Sequence, residues 1–546
     1  MSGVCAVFLA ACAGAQEPPA GSLVVASTNL EPVAPGKFQP TWESLKQYQC
    51  PEWFRDAKFG IWAHWGPQCQ PEDGDWYARG MYLTGSGQYQ FHTNHYGSPK
   101  DFGFKDVIHA WHAENWDPDK LVKLYQRAGA QYFFALANHH DNFDNWDSKY
   151  QPWNSVAVGP QKDLIAGWAK AARKYGLRFG VSVHASHAWS WYEPAQDYDG
   201  KLARADGQGL WWDGLDPQDL YAQNHQPSPG YERGNSIHSR WNWGNGVSQP
   251  DQAYCDKFYN RTADLIKKYR PDLIYFDDTA LPLWPASDAG LKIAADFYNS
   301  NLKWHGPRDN GVLFGKILTP DQQQCMVWDI ERGQANEIEP YPWQTDTCIG
   351  GWHYDRGLYN RNGYKSARTV IQTLCDIVSK NGNLLLNVPV RGDGTIDDKE
   401  IKVVQDIADW MAVNRSCIFS TRPWKTFGEG PALSGAKLTA QGFNEGKGKA
   451  FTSQDVRFTQ TKDGRTLYAI VLGAPASGIS IQSLGCSAKL LERTIKKVQL
   501  LGSREKIQWQ QTGDALVITQ PESLPNSIAI VFKLTLGGPV KPRSGI

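Results

Sequence analysis

One pattern of apolar and polar residues recurs along the first 420 residues of the chain. An amphipathic segment ends at a glycine or a proline, a short apolar run follows, and polar residues close the run. The apolar spacing and the end signals predict helices, and the runs predict strands. The predicted helices cover residues 117–129, 164–175, 254–269 and 366–380, and the strands that follow them cover 132–137, 178–183, 273–276 and 383–387.

Short strands that follow helices and are apolar throughout are typical of a parallel sheet covered by helices. The repeat extends over residues 41–420, and this length suits a closed barrel better than an open sheet. The sequence contains no glycine-rich phosphate loop of the kind that marks a nucleotide-binding fold. The pattern therefore predicts an α/β domain with a (β/α)8-like barrel.

The pattern of apolar and polar residues changes after about residue 420. Helical spacing fades, and short runs with strand character take its place, with a turn at Asp463 and Gly464. We expect residues 421–546 to form a separate antiparallel β-sandwich. Its predicted strands cover residues 456–460, 466–472, 515–519 and 527–533.

The N-terminus has the features of an export signal. Residues 4–15 are apolar and small, and Ala13–Gly14–Ala15 fits a cleavage site, although a basic leader is missing. The run before Cys12 also resembles a bacterial lipoprotein signal. Residues 1–20 are therefore expected to direct export to the periplasm, the medium or a lipid anchor. Residues 21–40, rich in Pro, Gly and Ser, are expected to be a linker.

Composition excludes several kinds of partner. The 546 residues carry equal numbers of acidic and basic side chains, which disfavours nucleic acid as a partner. No apolar run reaches the roughly 20 residues of a membrane span. The ten cysteines include no CxxC pair, and no HExxH motif is present, so we expect neither a metal nor another cofactor. Oligomeric state and disulfide pairing stay open.

Polar side chains close each of the predicted barrel strands. The carboxyl ends of barrel strands meet at one face, where the active sites of such barrels lie, so we expect a shared site there. Alternation along 273–278 places Asp277 on the face of Tyr275 and Asp278 on the opposite face. A carboxylate at that mouth is costly without a role, and Asp277 is the first catalytic candidate. The polar residues at the four strand ends are Asn138, His139, His140, His184, Asp277, Asp278 and Asn387.

A long irregular stretch follows the third predicted strand, over residues 193–251. It contains two tryptophan pairs, Trp211 with Trp212 and Trp241 with Trp243. A loop of this length is usually functional or disordered, and the tryptophans argue against disorder. We expect it to form a wall of the site, either offering stacking surfaces or packing its tryptophans against the protein.

Carboxylates, histidines and aromatic residues at a barrel mouth suit glycoside hydrolysis. Four motifs, in order along residues 42–424, closely resemble the α-L-fucosidases of glycoside hydrolase family 29, and the C-terminal sandwich also fits that family. The late motif continues with GDGTI at 392–396. The motifs are KFGIWAHWG at 58–66 with DWYAR at 75–79, NHHDNF at 138–143, PDLIYFD at 271–277, and DIVSKNGNLLLNV at 376–388.

The resemblance implies a retaining exo-α-L-fucosidase that acts through a covalent glycosyl-enzyme. Asp277 matches the nucleophile position and is preferred to Asp278. The acid/base is less clearly marked, because the family varies there. Glu331, shortly before a strand with Trp343, is our choice, and Glu337 and Glu339 are alternatives.

The resemblance also implies the sugar-binding positions. Two of them depart from the pattern: Asp75 stands where many members have the longer Glu, and Tyr275 where some have Trp. The family's arginine between the two catalytic residues has no clear counterpart, although Lys316 lies near the expected place. The implied positions are His64, Asp75, Trp76, His139, His140 and Tyr275.

Two other functions remain open from the sequence. One is a related barrel glycosidase that acts on another sugar, such as a galactoside. The other is a carbohydrate-binding protein without catalysis. If the protein is an α-L-fucosidase, its expected partner is a fucosylated glycan, whose linkage and sulfation the sequence does not indicate.

Overall fold

A computed structural model describes residues 30–233, 237–306, 311–439 and 443–539 of the chain. The predicted export signal, residues 1–20, lies outside these ranges, as do residues 21–29 of the expected linker. The described part of that stretch lies against two long helices. The backbone amide of Glu31 donates to Asn260 on one of these helices, and the amides of Ala34 and Phe38 donate to Asp296 and Asn299 on the other.

Eight parallel strands form a closed barrel in simple chain order, as predicted. Each strand pairs with its sequence neighbours, and the first pairs with the last through Gly60 and Leu385. All carboxyl ends therefore point to one mouth. The barrel strands are β1 (Phe59–Ala63), β2 (Tyr132–Asn138), β3 (Arg178–Val183), β4 (Leu273–Phe276), β5 (Val312–Gly315), β6 (Val327–Asp329), β7 (Trp343–Cys348) and β8 (Gly382–Asn387).

The four predicted helices are present, with ends set by capping residues. Asp117, Asp163, Asp251 and Ser366 each accept a hydrogen bond from a backbone amide of the first turn. The helices are α1 (Trp42–Leu45), α2 (Glu52–Ala57), α3 (Tyr77–Gly80), α4 (Gly87–His95), α5 (Phe104–Ala110), α6 (Pro118–Arg127), α7 (Leu164–Lys174), α8 (Ala188–Trp191), α9 (Pro217–Leu220), α10 (Gln252–Tyr269), α11 (Ala289–His305), α12 (Arg356–Asn360), α13 (Ala367–Ser379) and α14 (Asp398–Asn414).

The C-terminal region forms two antiparallel sheets. One has five strands in the order β13-β16-β11-β10-β9 and the other three in the order β12-β15-β14. Phe458, Leu516 and Phe532 belong to the apolar core between them. The strands are β9 (Thr421–Glu429), β10 (Val456–Thr461), β11 (Thr466–Val471), β12 (Ile479–Ile481), β13 (Arg493–Leu500), β14 (Trp509–Gln511), β15 (Leu516–Ile518) and β16 (Ile530–Pro539).

The last strand begins later than the sequence predicts. Its start was expected at residue 527, but β16 begins at Ile530. Asn526 accepts hydrogen bonds from the amides of Ile528 and Ala529, and this side-chain cap holds residues 526–529 in a turn.

The barrel and the C-terminal sheets are joined by a buried ion cluster. Asp376, on α13, lies 2.6 Å from Nε of Arg457 on β10 and 2.7 Å from Nζ of Lys380. Burial by itself raises the pKa of Asp376, but the two cations outweigh it and lower that pKa below its usual value. Asp376 opens the late sequence motif, and in the fold it connects the two domains.

Within the described ranges, no helix combines the length and the apolar character that a membrane crossing requires.

Candidate active site

The end of β4 separates two adjacent carboxylates. Asp277 continues the face of Tyr275 and turns into the mouth of the barrel. Asp278 lies on the other side, almost fully buried, and accepts hydrogen bonds from the hydroxyl of Ser186 and the amide of Leu283. The predicted alternation of this strand is therefore observed, and Asp278 fixes the loop after β4.

Asp277 is surrounded by nitrogen donors that lie just after the ends of three other strands, β2, β3 and β5. Its Oδ1 lies 2.5 Å from Nζ of Lys316, and its Oδ2 lies 3.0 Å from Nε2 of His140 and 3.2 Å from Nδ1 of His184. Burial by itself raises the pKa of Asp277, but the Lys316 ammonium and the two imidazoles outweigh it and hold that pKa well below its usual value. The carboxylate is therefore ionised, and its side chain is 19% exposed toward the mouth.

Glu331 stands beside Asp277, on the loop after β6. Its carboxylate contacts Nζ of Lys316. The amide of the next residue, Arg332, donates to the carbonyl of Asp346 at 2.8 Å, which fixes the loop to β7. Burial raises the pKa of Glu331 to about 7; Lys316 lowers it, while the charges of Asp346 and Asp277 raise it. This carboxyl group can therefore hold and release a proton near neutral pH.

The two alternative glutamates lie elsewhere. Glu337 is exposed and lies 3.5 Å from Nζ of Lys437. The backbone of Glu339 bonds to Lys380 and Asn381, just before β8 begins. That is the end of the barrel opposite to the mouth. Of the three candidates, only Glu331 lies beside Asp277.

Lys316 follows β5 directly and is held from several sides. Its amide donates to the carbonyl of Thr279 at 2.7 Å, and its ammonium lies 5.3 Å from the ring centre of Tyr275. The hydroxyl of Tyr275 donates to Asp346 at 2.8 Å. Burial lowers the pKa of Lys316, but Asp277 and Glu331 outweigh it and raise that pKa well above its usual value. Lys316 is therefore positively charged at neutral pH.

A cluster of imidazoles lines the pocket beside Asp277. Gln68 donates to Nδ1 of His139 at 2.8 Å, so Nε2 of this ring is left as the donor when the ring is neutral. Burial, together with neighbouring histidines, holds the pKa values of His64 and His139 well below the usual value. These neutral rings suit hydroxyl groups, which both donate and accept.

Two groups here also have the donor types of a metal site. One nitrogen or oxygen from each of four residues, His64, Asp75, His139 and His353, falls within a span of 4.8 Å. A second group in the described ranges consists of His139, His140 and His184.

Aromatic side chains close the side of the pocket. Trp76 stacks on His238 with ring centres 4.9 Å apart, and on Trp241 at 6.2 Å. The ring of Trp241 also meets His140 edge-on at 5.0 Å. Trp76 itself has a positive φ of 62°, a backbone strain common near functional sites.

The long stretch between β3 and α10 divides into parts with different roles. Trp241 borders the pocket, and Trp243 stacks on His187. Trp212 is buried in the core, while Trp211 stacks on His109, away from the other pair. Trp212 and Trp243 are packed in the core, and of the four tryptophans Trp241 is the one that borders the pocket.

All six predicted sugar-binding residues lie in or beside this pocket, and four of them are almost fully buried: His64, His139, His140 and Tyr275. Sequence reasoning placed His184 among the polar strand ends without giving it a role, did not single out His353, and did not rely on Lys316. His184 carried a signal, since it directly follows a predicted strand. His353 carried none, because it stands alone five residues after β7.

Paired carboxylates with imidazoles and indoles around a barrel mouth can exchange glycosidic bonds, and the class of protein that this fold and site define is a barrel glycoside hydrolase. Comparison with known families agrees. The α-L-fucosidase model matches residues 25–416, and the model of the α-L-fucosidase C-terminal domain matches residues 449–535. The chain belongs to the α-L-fucosidase family, as its motifs predicted.

Individual relatives are similar over most of their length. Rat tissue α-L-fucosidase is 25% identical over 533 residues, which covers 94% of this chain and 95% of the rat protein. Human plasma α-L-fucosidase is 25% identical and covers 87% of this chain and 86% of its own length. The crystal structure of Thermotoga maritima α-fucosidase superimposes with a TM-score of 0.66 at 25% identity, covering 91% of this chain and all of that one.

Proposed function

We propose that this protein is a retaining exo-α-L-fucosidase that works through a covalent glycosyl-enzyme. One observation carries the proposal: a single ammonium group, that of Lys316, contacts both Asp277 and Glu331. Two hydrogen bonds from one nitrogen keep the two oxygens that accept them, Oδ1 of Asp277 and Oε2 of Glu331, within about 6 Å of each other. Retaining enzymes hold their carboxyl groups about 5–5.5 Å apart, and inverting enzymes need about 6.5 Å or more.

In the first step Asp277 is the nucleophile. Its ionised carboxylate attacks the anomeric carbon of terminal α-L-fucose, and the bond to the glycosidic oxygen breaks. Glu331 donates its proton to that oxygen as it leaves. The pKa near 7 keeps much of Glu331 protonated at neutral pH, while Asp277 stays ionised.

In the second step the roles of Glu331 reverse. Its carboxylate, now deprotonated, removes a proton from a water molecule that attacks the anomeric carbon. The ester to Asp277 breaks, and fucose leaves with the configuration it had in the substrate. Lys316 neutralises charge on whichever carboxylate is ionised.

The sugar ring lies against the imidazole cluster and the tryptophans. Neutral His64 and His139 exchange hydrogen bonds with ring hydroxyls, and His140 holds Asp277. The indole of Trp76 covers the apolar side of the sugar, and Tyr275 supports the floor. Asp75 belongs to this group through its contact with His353, 2.6 Å from Oδ1 to Nδ1.

We also infer that the substrate is a fucosylated glycan met after export. The support is the apolar N-terminal segment, residues 4–15, with its cleavage signals. N-terminal sequencing of the protein from its native host tests this directly. A chain that begins at Met1 would overturn the inference, and one that begins at Gln16 or at lipidated Cys12 would support it.

The enzymatic proposal is tested with two aryl glycosides and NMR. Hydrolysis of an aryl α-L-fucoside is expected, with α-L-fucose as the first product before mutarotation. Release of β-L-fucose first would contradict a retaining mechanism. Faster hydrolysis of an aryl β-D-galactoside would favour a galactosidase, and turnover of neither substrate would favour a binding protein.

A further inference from the structure

His353 lies in the pocket, although neither the chain's motifs nor the proposed function assigns it a role. It follows β7, is fully buried, and places Nδ1 only 2.6 Å from Oδ1 of Asp75. The loop that carries Asp75 and the loop that carries His353 are also joined by backbone contacts. The amide of Gly74 donates to the carbonyl of Tyr354 at 3.1 Å, and Asp73 pairs with Asp355. The contact between His353 and Asp75 is therefore set by the fold.

This contact decides which nitrogen of His353 is free. A carboxylate only accepts hydrogen bonds, so Nδ1 carries a proton, and Nε2 is the acceptor when the ring is neutral. That Nε2 is buried and has no hydrogen-bond partner among the described residues. Buried polar atoms are nearly always paired, so an orphan inside a binding pocket points to a ligand group.

The surroundings of Nε2 are those of the pocket. The ring centre of His353 lies 4.5 Å from that of His64 and 4.8 Å from that of His139. Nδ1 of His64 is also buried and unpaired within the described part of the chain. Two orphan nitrogens on adjoining rings fit the neighbouring hydroxyls of one sugar ring, each of which can donate one proton.

We infer that His353 binds a ring hydroxyl of the terminal sugar through Nε2, and that Asp75 acts through His353 as a positioning residue. The inference rests on the proposed function, in that it takes the pocket to hold a fucose ring. It also explains why a short aspartate serves at position 75. The imidazole between Asp75 and the pocket supplies the reach that a longer glutamate side chain would provide.

The test measures sugar binding, which does not depend on turnover. Ligand-observed NMR compares L-fucose with its 2-, 3- and 4-deoxy forms, on the parent and on His353→Ala, after EDTA treatment to remove any bound metal. L-Fucose should bind about 10- to 100-fold more weakly to the variant. One deoxy sugar, which lacks the hydroxyl that His353 binds, should lose nothing further, while the other two lose the full factor.

Equal losses for all four sugars would mean a structural role only and would overturn the inference, as would no loss at all. His353→Gln repeats the comparison should the alanine variant not fold. Hydrolysis of an aryl α-L-fucoside by the parent is measured in parallel. A parent that binds fucose without hydrolysing it refutes the proposed reaction and leaves the result for His353 standing.

Changing Asp75 and His353 together gives an independent test of the inference. Asp75→Glu alone should weaken fucose binding, because the longer side chain needs the space that the imidazole occupies. In the double variant Asp75→Glu, His353→Ala, the glutamate should reach the hydroxyl itself and bind fucose within about tenfold of the parent. A double variant no better than His353→Ala alone would count against the relay.

Discussion

Lys316 Nζ lies 2.5 Å from Oδ1 of Asp277 and contacts the carboxylate of Glu331 at the same time. One cation thus sits between two acids that need different protonation states. Its charge lowers the pKa of both carboxyl groups. Burial and the neighbouring Asp346 raise the pKa of Glu331 to about 7 despite that charge, whereas Asp277 also receives two imidazole hydrogen bonds and remains ionised.

Replacing Lys316 should therefore move both limits of the pH profile in one direction. In Lys316→Ala the pKa of Asp277 and that of Glu331 both rise, since the same positive charge is lost from each. The profile of kcat/KM should shift to higher pH on both sides, and kcat should fall about 100-fold. The measurement is hydrolysis of an aryl α-L-fucoside from pH 3 to 9.

Lys316→Arg is the matched control, because it keeps a permanent cation at this position. Its profile should stay close to that of the parent, although its activity falls through altered geometry. An alanine variant whose profile superimposes on the parent's would remove Lys316 from this electrostatic role.

Asp277→Gly should abolish hydrolysis, with a loss of about 10⁴-fold or more in kcat. Azide fits the space of the missing carboxylate and should restore cleavage of an activated aryl fucoside. Since azide then attacks the face that Asp277 used, the product should be β-L-fucosyl azide, identified by NMR. Full activity without azide would show that another residue is the nucleophile.

Asp278→Asn, at the neighbouring position, is the control for Asp277→Gly. Asp278 accepts bonds from Ser186, Thr279 and Leu283 and does not face the pocket. The change should lower Tm by several degrees while hydrolysis continues, and azide should have no effect on the rate.

The parent enzyme should lose activity as pH rises through about 7. Glu331 must be protonated to assist the leaving group, and its pKa is about 7, so the acid form disappears above that pH. Asp277 needs to be ionised, and its low pKa places the acidic limit far below. The profile of kcat/KM on a fucosylated oligosaccharide checks this; activity that still increases to pH 9 would refute it.

Glu331→Ala should slow substrates in proportion to how much their leaving group needs a proton. Hydrolysis of oligosaccharides should fall about 10²- to 10⁴-fold, and that of a dinitrophenyl fucoside far less. Azide attacking the glycosyl-enzyme should give α-L-fucosyl azide, the opposite anomer to that from Asp277→Gly. Glu337→Ala, on the exposed alternative, should match the parent on both substrates; a selective loss there instead would move the acid/base role to Glu337.

Asp376→Asn should destabilise the fold by about 3 kcal/mol, because it leaves the buried cations of Arg457 and Lys380 without a counter-charge. Urea denaturation measures the change. The control is Asp406→Asn on α14, where an exposed pair with Lys402 should contribute less than about 0.5 kcal/mol. Equal effects of the two changes would show that the cluster does not hold the domains together.

Much of the barrel could be predicted from local signals in the sequence. The caps at Asp117, Asp163, Asp251 and Ser366 and the apolar runs that follow fix four helix-strand units, because each depends on neighbours within a few residues. β5 and β6 were not predicted as strands, and β6, with only three residues, is too short to show a period. The start of β16 was misplaced, because the cap formed by Asn526 competes with extended structure.

The sequence by itself determined which side of β4 carries Asp277, since strand alternation depends on nothing distant, and its motifs determined the family. Only the tertiary structure decided the partners. Lys316 reaches Asp277 from the next strand of the barrel, and His353 meets Asp75 across 278 positions of the chain. The charges and orphan nitrogens of the pocket come from burial and from such distant contacts, which arise when the barrel closes and leave no pattern along the sequence.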